Sequence, residues 1–359
     1  MEKFAFIIHP ISVRRDVARK YPIARYLPES WVSAVLPHIS PKVVSSITGV
    51  RSNSTGTEAE GWFIACPLTP QQLLTLPTET VYRKLVECGK IAEDLGAKIL
   101  GLGALTSVVG DGGITVAERL SIAVTTGNSY TVATAVEGAK RGGLLMDTPT
   151  EEAHIAIVGA SGSIGHTCAL LLAKEAQRVT LIGRNRERLL PVAREIAAIN
   201  PHVHTTENVQ EGLEDADIIL TVTSSADTII EPEYLKSGAV VCDVARPRDV
   251  SMRVHQKRPD VLVIEGGVVS VPGDVDFHFD FGFPPKTAYA CMSETMMLAL
   301  EGRYESFTLG KTVSIAQAEE MHQLAVKHGF RLAGFRSFER AVTDDYIASV
   351  RRAAGLKPK

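Results

Sequence analysis

Residues 154–188, HIAIVGASGSIGHTCALLLAKEAQRVTLIGRNRER, constrain this chain more than any other stretch. The apolar run Ile155 to Val158 has the character of a buried parallel strand, and it breaks into a glycine turn. An apolar helical segment through Leu170, Leu171 and Leu172 follows, and Val179 to Ile182 completes a βαβ unit. Each glycine has its own task. Gly159 permits the tight turn, Gly162 lets backbone amides approach a pyrophosphate, and Gly165 lets helix and strand pack closely. The turn Gly159, Ser161, Gly162, Ser163, Ile164 and Gly165 is therefore expected to hold a dinucleotide at the positive end of a helix. A glycine triplet alone is generic. One set between a strand and a helix, with the next strand in step, is far more specific.

The end of the second strand bears on which dinucleotide binds. An NAD site carries an acid there for the ribose 2′-hydroxyl, whereas this chain reads Gly183-Arg184-Asn185-Arg186 before Glu187. Arg184 and Arg186, with Asn185 between them, suit a 2′-phosphate, so the expected cofactor is NADP(H). The competing reading leaves both arginines as solvated surface charges.

The remaining strands place further cofactor contacts. Ile218 to Val222 ends at Thr223 and Ser224, Val240 to Asp243 ends at Val244-Ala-Arg246-Pro247-Arg248, and Val261 to Glu265 ends at Gly266-Gly267. Six strands with helical crossovers predict a doubly wound Rossmann-type sheet over 150–270, with ligands beyond the strands' carboxyl ends. Before it, alternating strands and helices over 1–149 predict a smaller α/β domain for substrate or carrier. After it, 271–359 reads as a helical segment, with helices at 286–302, 314–328 and 339–353 and a fraying GLKPK tail. The fold class is α/β.

The bulk properties exclude several classes. At 359 residues the chain can hold two or three cored domains, and a net charge of −3 gives no global attraction to nucleic acid. No apolar run approaches the ~20 residues of a membrane span, and the N-terminus MEKFAFIIHP lacks the form of a signal peptide. Five scattered cysteines (66, 88, 168, 242 and 291) without a CxxC pair argue for a reducing, cytoplasmic setting and against a structural metal. The basic residues Arg14, Arg15, Arg19, Lys20 and Arg25 read first as a solvated helix face; the sharper alternative is a docking site for an acidic carrier.

Cys291 follows the irregular stretch DFHFDFGFPP, and Pro284-Pro285 suit a helix start, which would set the cysteine about two turns into a helix. A thiolate there can take an acyl group from a thioester and hold it for hydride transfer, although a small cysteine in an apolar helix is more often core packing. His9, Asn128, Ser129 and Tyr289 are candidate donors to a developing oxyanion, each with a structural alternative. Glu294 shares the cysteine's helix face and, if close and ionised, would raise the thiol pKa.

Several motifs carry a resemblance. GLGALTS (101–107), TTGNSYT (125–131), IVGASGSIG (157–165), GRNRERL (183–189), EGGVV (265–269) and YACMSETMMLALEG (289–302) make the chain similar to cyanobacterial fatty-aldehyde-forming acyl-[acyl-carrier-protein] reductases. The similarity covers most of the length short of the tail. It implies a cytoplasmic NADPH-dependent enzyme in which Cys291 is acylated by a fatty acyl thioester and hydride then yields an aldehyde. The partners implied are that thioester and an acyl carrier protein or coenzyme A; no metal-site residues are identified, and a divalent-ion requirement and homo-oligomerisation are left open. FHFDFGFPPKT stands where that family has a longer linker, and the first hundred residues match in patches.

Two other families share parts of the pattern. The order of an α/β domain, a TTGN helix and a dinucleotide domain resembles shikimate and quinate dehydrogenases, but Lys84, Lys90 and Lys98 lack a clear Asp partner for polyol chemistry. CDVARPRD (242–249) resembles glutamyl-tRNA reductases, whose N-terminal cysteine motif is absent around Cys66. A non-catalytic NADP(H)-binding redox sensor is the third alternative. In the reductase reading, the sulfur of Cys291 and the nicotinamide are expected to face one crevice.

Overall fold

The computed structural model describes residues 1–10, 16–17, 22–225 and 227–357. The chain forms two compact units. One comprises Met1–Gly127, Val269–Lys311 and Met321–Arg331, and the other Asn128–Val268, Thr312–Glu320 and Leu332–Lys359. The residues after 270, read from sequence as a third segment, are divided between the two. The stretch from Asn128, read with the first domain, lies in the nucleotide unit. Arg14, Arg15, Arg19 and Lys20 lie outside the described residues, and with them the docking idea.

The first unit is built on strands β1 (Glu2–Ile8), β2 (Lys42–Arg51), β3 (Glu58–Ala65), β4 (Ile99–Gly101) and β5 (Ala123–Thr125). With the later strand Gly273–Asp276 they form one sheet, ordered Gly273–Asp276, β2, β3, β1, β4, β5. β1 runs parallel to β3 and β4, and β4 parallel to β5, so these four strands end at one edge. Phe4 to Ile7 are buried, which suits a central strand covered on both faces. The helix Thr78–Asp94 buries Val81, Leu85, Cys88 and Ala92, the apolar stripe its period-3.6 pattern predicts. A second helix, Ala290–Leu300, packs on β1, β3 and β4 and is buried on every side beyond Cys291. It holds Met292, Met296, Met297 and Leu298 in its interior, as a helix apolar all round must be.

The second unit carries six parallel strands: β6 (His154–Val158), β7 (Arg178–Ile182), β8 (Val203–Thr206), β9 (Ile218–Thr221), β10 (Val240–Asp243) and β11 (Leu262–Glu265). Their order, β11-β10-β9-β6-β7-β8, is the doubly wound order expected from sequence. Successive side chains enter opposite cores. Ile155, Ile157, Leu220, Cys242 and Ile264 join one apolar layer, while Ala156, Val158, Ile219, Val241 and Val263 join the other. The helix Asn128–Leu145 seals the first layer through Val132, Ala135 and Ala139. No helix among the described residues is long and apolar enough to cross a membrane.

The tail differs from expectation. Instead of fraying after Ala354, it is held by Arg351, which is 1% exposed. Its guanidinium donates to the carbonyls of Leu145 (2.5 Å) and Lys357 (2.9 Å) and pairs with the Asp147 carboxylate at 2.5 Å. Arg351 itself is the buried partner, and removing it deletes charge-assisted hydrogen bonds and leaves the space of a large buried side chain. Arg351→Ala is expected to lower the stability of this unit by roughly 2–3 kcal/mol. Chemical denaturation followed by far-UV circular dichroism, which reports on both units, checks it, and an unchanged unfolding profile would refute the anchor.

Candidate active site

Cys291 is built into the carboxyl edge of the first sheet. The sequence places it two turns into a helix starting near Lys286; instead Thr287–Tyr289 is a short strand and the helix begins at Ala290. Cys291 is therefore in the first turn, where the helix leaves backbone amides unpaired. It is also the one cysteine of the five that is not fully buried.

Glycines make room for it. A Cβ at Gly127 would overlap the Cα and Cβ of Cys291, and one at Gly101 would overlap Thr295. A Cβ at Gly103 would run into Phe6 and stand 3.3 Å from the Cys291 sulfur. Gly127 also sits at φ +73°, which disfavours any side chain. The loop after β4 is locked by Thr106, whose hydroxyl donates to the Gly103 carbonyl (2.8 Å) and accepts from the Gly103 amide (3.0 Å). This holds Ala104, at φ +48°, with its amide toward the sulfur.

Two influences oppose each other at the thiol. Burial pushes its pKa up, to about 12, and the Glu294 charge adds to the rise. The amides of Met292, Cys291 and Ala104 pull it down, because a thiolate accepts hydrogen bonds better than a thiol. Burial dominates, so the resting group is a protonated thiol. Glu294 is fully buried and takes the hydroxyl proton of Thr125 at 2.6 Å. Thr125 in turn accepts from the Gly127 amide at 3.3 Å, so Glu294 ties the glycine turn to the cysteine helix.

The other candidates are distributed. His9 follows β1 at the same sheet edge, since Phe6 stands opposite Gly101. Its Nδ1 pairs with the Pro10 carbonyl at 3.4 Å, and its Nε2 is buried with no partner among the described residues. Burial lowers its pKa to about 4, so the ring is neutral at pH 7. Tyr289 immediately precedes the cysteine helix. Asn128 and Ser129 open the helix Asn128–Leu145 of the nucleotide unit and are buried there. Lys84, Lys90 and Lys98 pair with Glu87, Glu93 and Glu2, which gives none of them an Asp partner.

In the nucleotide unit, β6 leads through Gly159 (φ +88°) to the helix Ser163–Ala173. Gly162 caps that helix without a side chain, leaving its first amides open to an anion. A Cβ at Gly165 would overlap the Gly159 carbonyl, which explains the third glycine. This turn lies beside β9, where the strand order reverses, so the residues present fit a dinucleotide pyrophosphate. Arg184 and Arg186 are exposed beyond β7, and Asn185 spends its side-chain oxygen on the Arg188 amide (3.1 Å). Ser161, Ser163, Ile164 and Ser224 are partly exposed around the turn and the end of β9.

The CDVARPRD stretch is structural in this setting. Asp249 accepts from the hydroxyls of Thr221 and Thr223 and from the Thr223 amide (3.1 Å), which fixes the end of β9. Asp243 accepts from the amides of Ala245 (3.0 Å) and Val250 (3.1 Å), with its pKa raised to about 7 by burial. Glu265 is surrounded by Arg246 (3.4 Å), Arg248 (3.3 Å) and Arg336 (3.9 Å). Gly266 is packed tightly, since a Cβ there would stand 2.8 Å from the Cys242 sulfur, and Gly267 has φ +80°.

Comparison with known proteins agrees with this geometry. Residues 145–265 match the shikimate / quinate 5-dehydrogenase family model. Over 98% of its length the chain is 29% identical to aminotransferase PigE of Serratia sp., of which it spans 42%. Over 91% of its length it is 27% identical to the long-chain acyl-[acyl-carrier-protein] reductase of Synechococcus elongatus, spanning 98% of that protein. A solved quinate dehydrogenase from Corynebacterium glutamicum in complex with NAD aligns with 90% of this chain and 98% of that one, at 13% identity and a TM-score of 0.39. The family match over 145–265 and the Synechococcus homologue indicate a nicotinamide-binding protein of the NAD(P)-dependent oxidoreductase class. Within that class it is homologous to the Synechococcus reductase along nearly its whole length.

The thiol pKa has a measurable consequence. With the folded pKa near 12, thiolate grows about tenfold per pH unit from pH 7 to 10. Alkylation of Cys291 by iodoacetamide, followed by peptide mass, is expected to accelerate through that range without levelling. A plateau near pH 9, as for an ordinary thiol, would contradict the burial argument.

Proposed function

We propose that the protein reduces a fatty acyl thioester, carried by acyl carrier protein or coenzyme A, to the fatty aldehyde with NADPH, through an acyl-cysteine at position 291. The observation that carries the reading is the Cys291 sulfur in the first turn of its helix, in a space opened by Gly103 and Gly127 and met by the Ala104 and Met292 amides.

Each step follows from these groups. The Cys291 thiol loses its proton as its sulfur bonds to the acyl carbon. The carbonyl oxygen becomes an oxyanion, then re-forms the carbonyl as the bond to the carrier sulfur breaks, and the carrier leaves as its thiol. The Ala104 and Met292 amides at the sulfur are the groups proposed to donate to that oxygen, and being fixed they would cost no reorganisation. A nicotinamide cofactor held by the Gly159–Gly165 turn would supply the hydride that the acyl carbon accepts. The resulting hemithioacetal oxygen is negative, and it collapses to aldehyde as the C–S bond breaks and the sulfur regains a proton. The neutral His9 at the same sheet edge is a candidate to exchange these protons.

Arg184 and Arg186 are the groups proposed to hold the 2′-phosphate, with the Gly159–Gly165 turn holding the pyrophosphate and Thr223, Ser224, Gly266 and Gly267 lining the strand ends. A polyol dehydrogenase reading has the family match over 145–265 in its favour. It finds no support at Lys84, which is buried against Glu87 and the Ile39 carbonyl, and the Lys286–Asp274 pair of the first unit lies out on the surface.

The test is aldehyde formation from palmitoyl-CoA with NADPH or NADH. The wild type is expected to form aldehyde, and Cys291→Ser to form none. Arg184→Ala with Arg186→Ala is expected to raise KM for NADPH by roughly 10–100-fold while leaving that for NADH within about threefold. Aldehyde from Cys291→Ser, or shikimate-dependent NADP⁺ reduction by the wild type, would overturn the proposal.

A further inference from the structure

The segment joining the strand Gly273–Asp276 to the cysteine helix places Phe at every second position, 277, 279, 281 and 283. That is four of the chain's 11 phenylalanines within seven residues. Asp276, His278 and Asp280 alternate with them and are exposed. Most of the rings form a continuous series. Tyr289 meets Phe283 at 4.4 Å between centroids, Phe283 meets Phe281 at 5.1 Å, and Phe281 meets Phe277 at 5.1 Å and Phe63 of β3 at 5.4 Å. Phe63 and Phe277 close the inner end at 5.9 Å.

Burial changes along the series. Phe63 is fully buried and Phe277 is 7% exposed, so these two rings suffice to pin the segment to the sheet. Phe281, Phe283 and Tyr289 are only partly buried. They present a contiguous aromatic surface, and its outer end is two residues from Cys291. Anchoring a loop does not require three half-exposed rings in a row, whereas a long apolar ligand tethered at position 291 would cover them.

We propose that Tyr289, Phe283 and Phe281 form the wall along which the substrate's acyl chain lies, fixed from behind by Phe277 and Phe63. The inference rests on the acyl-cysteine reading of Cys291 and assigns to these three rings the reading of acyl-chain length. Each methylene covered by the wall favours the longer chain by roughly fourfold in kcat/KM.

The experiment compares palmitoyl-CoA with butyryl-CoA in the wild type and in Phe281→Ala/Phe283→Ala. The palmitoyl-to-butyryl ratio of kcat/KM is expected to fall at least tenfold in the double variant. A loss by the same factor for both thioesters, or an unchanged ratio, would overturn the wall. The wild type gives an independent reading that needs no folded variant. After acylation with a palmitoyl thioester bearing a terminal diazirine, illumination is expected to label the peptide spanning Phe277 to Phe283. Label confined to other peptides overturns the wall while leaving acylation at Cys291 intact. Failure of palmitoyl and butyryl thioesters alike to acylate Cys291 overturns both this inference and the reading beneath it.

Discussion

The site depends on side chains that are absent. Gly103 and Gly127 leave open the volume that the first turn of the cysteine helix fills, and a methyl group at position 127 would overlap Cys291 itself. Protein interiors are too densely packed to absorb such an overlap without a shift of the helix. A shift would separate the sulfur from the Ala104 amide, which belongs to a different loop. Thr125 and Glu294 keep the arrangement in register, because one hydroxyl joins the Gly127 amide to a fully buried carboxylate on the cysteine helix. The carboxylate raises the thiol pKa, so the group that fixes the geometry works against the thiolate. The amides offset part of that cost, and they act most strongly on charge that develops during reaction.

Charged residues of the nucleotide unit serve the framework in a comparable way. Asp249 and Asp243 accept amide and hydroxyl protons from the segments after β9 and β10, and Glu265 gathers three guanidinium groups. Buried carboxylates with this many donors fix loop conformation rather than react. Arg184 and Arg186, by contrast, stay exposed beyond β7.

Much of this was legible in the sequence because it depends on local rules. Alternation along Ile155–Val158 and the Gly159–Gly165 spacing define a βαβ unit whatever the rest of the chain does, and the strand order followed. The position of Cys291 was harder to read. Pro284-Pro285 signals a helix start, yet Lys286 lies at φ +59° and Thr287–Tyr289 pairs as a strand, which delays the helix to Ala290. That delay depends on tertiary pairing, which the local sequence does not encode. The glycines at 103 and 127 were visible inside GLGALTS and TTGN, but their partner lies far along the chain, so their purpose was not. The GLKPK tail was read as fraying because the groups that hold Arg351 beside it, Leu145 and Asp147, are also distant in sequence. The alternating phenylalanines at 277–283 were on view, yet in a stretch without regular structure their period had no element to attach to.

The account turns on whether the Cys291 sulfur carries the acyl group. The most direct measurement is intact-protein and peptide mass after incubation with a long-chain acyl thioester, first without NADPH and then after adding it. The account predicts one acyl group on the peptide containing Cys291, absent from Cys291→Ser and discharged when NADPH is supplied. An acyl group on another residue, or an adduct at Cys291 that NADPH leaves in place, would contradict it.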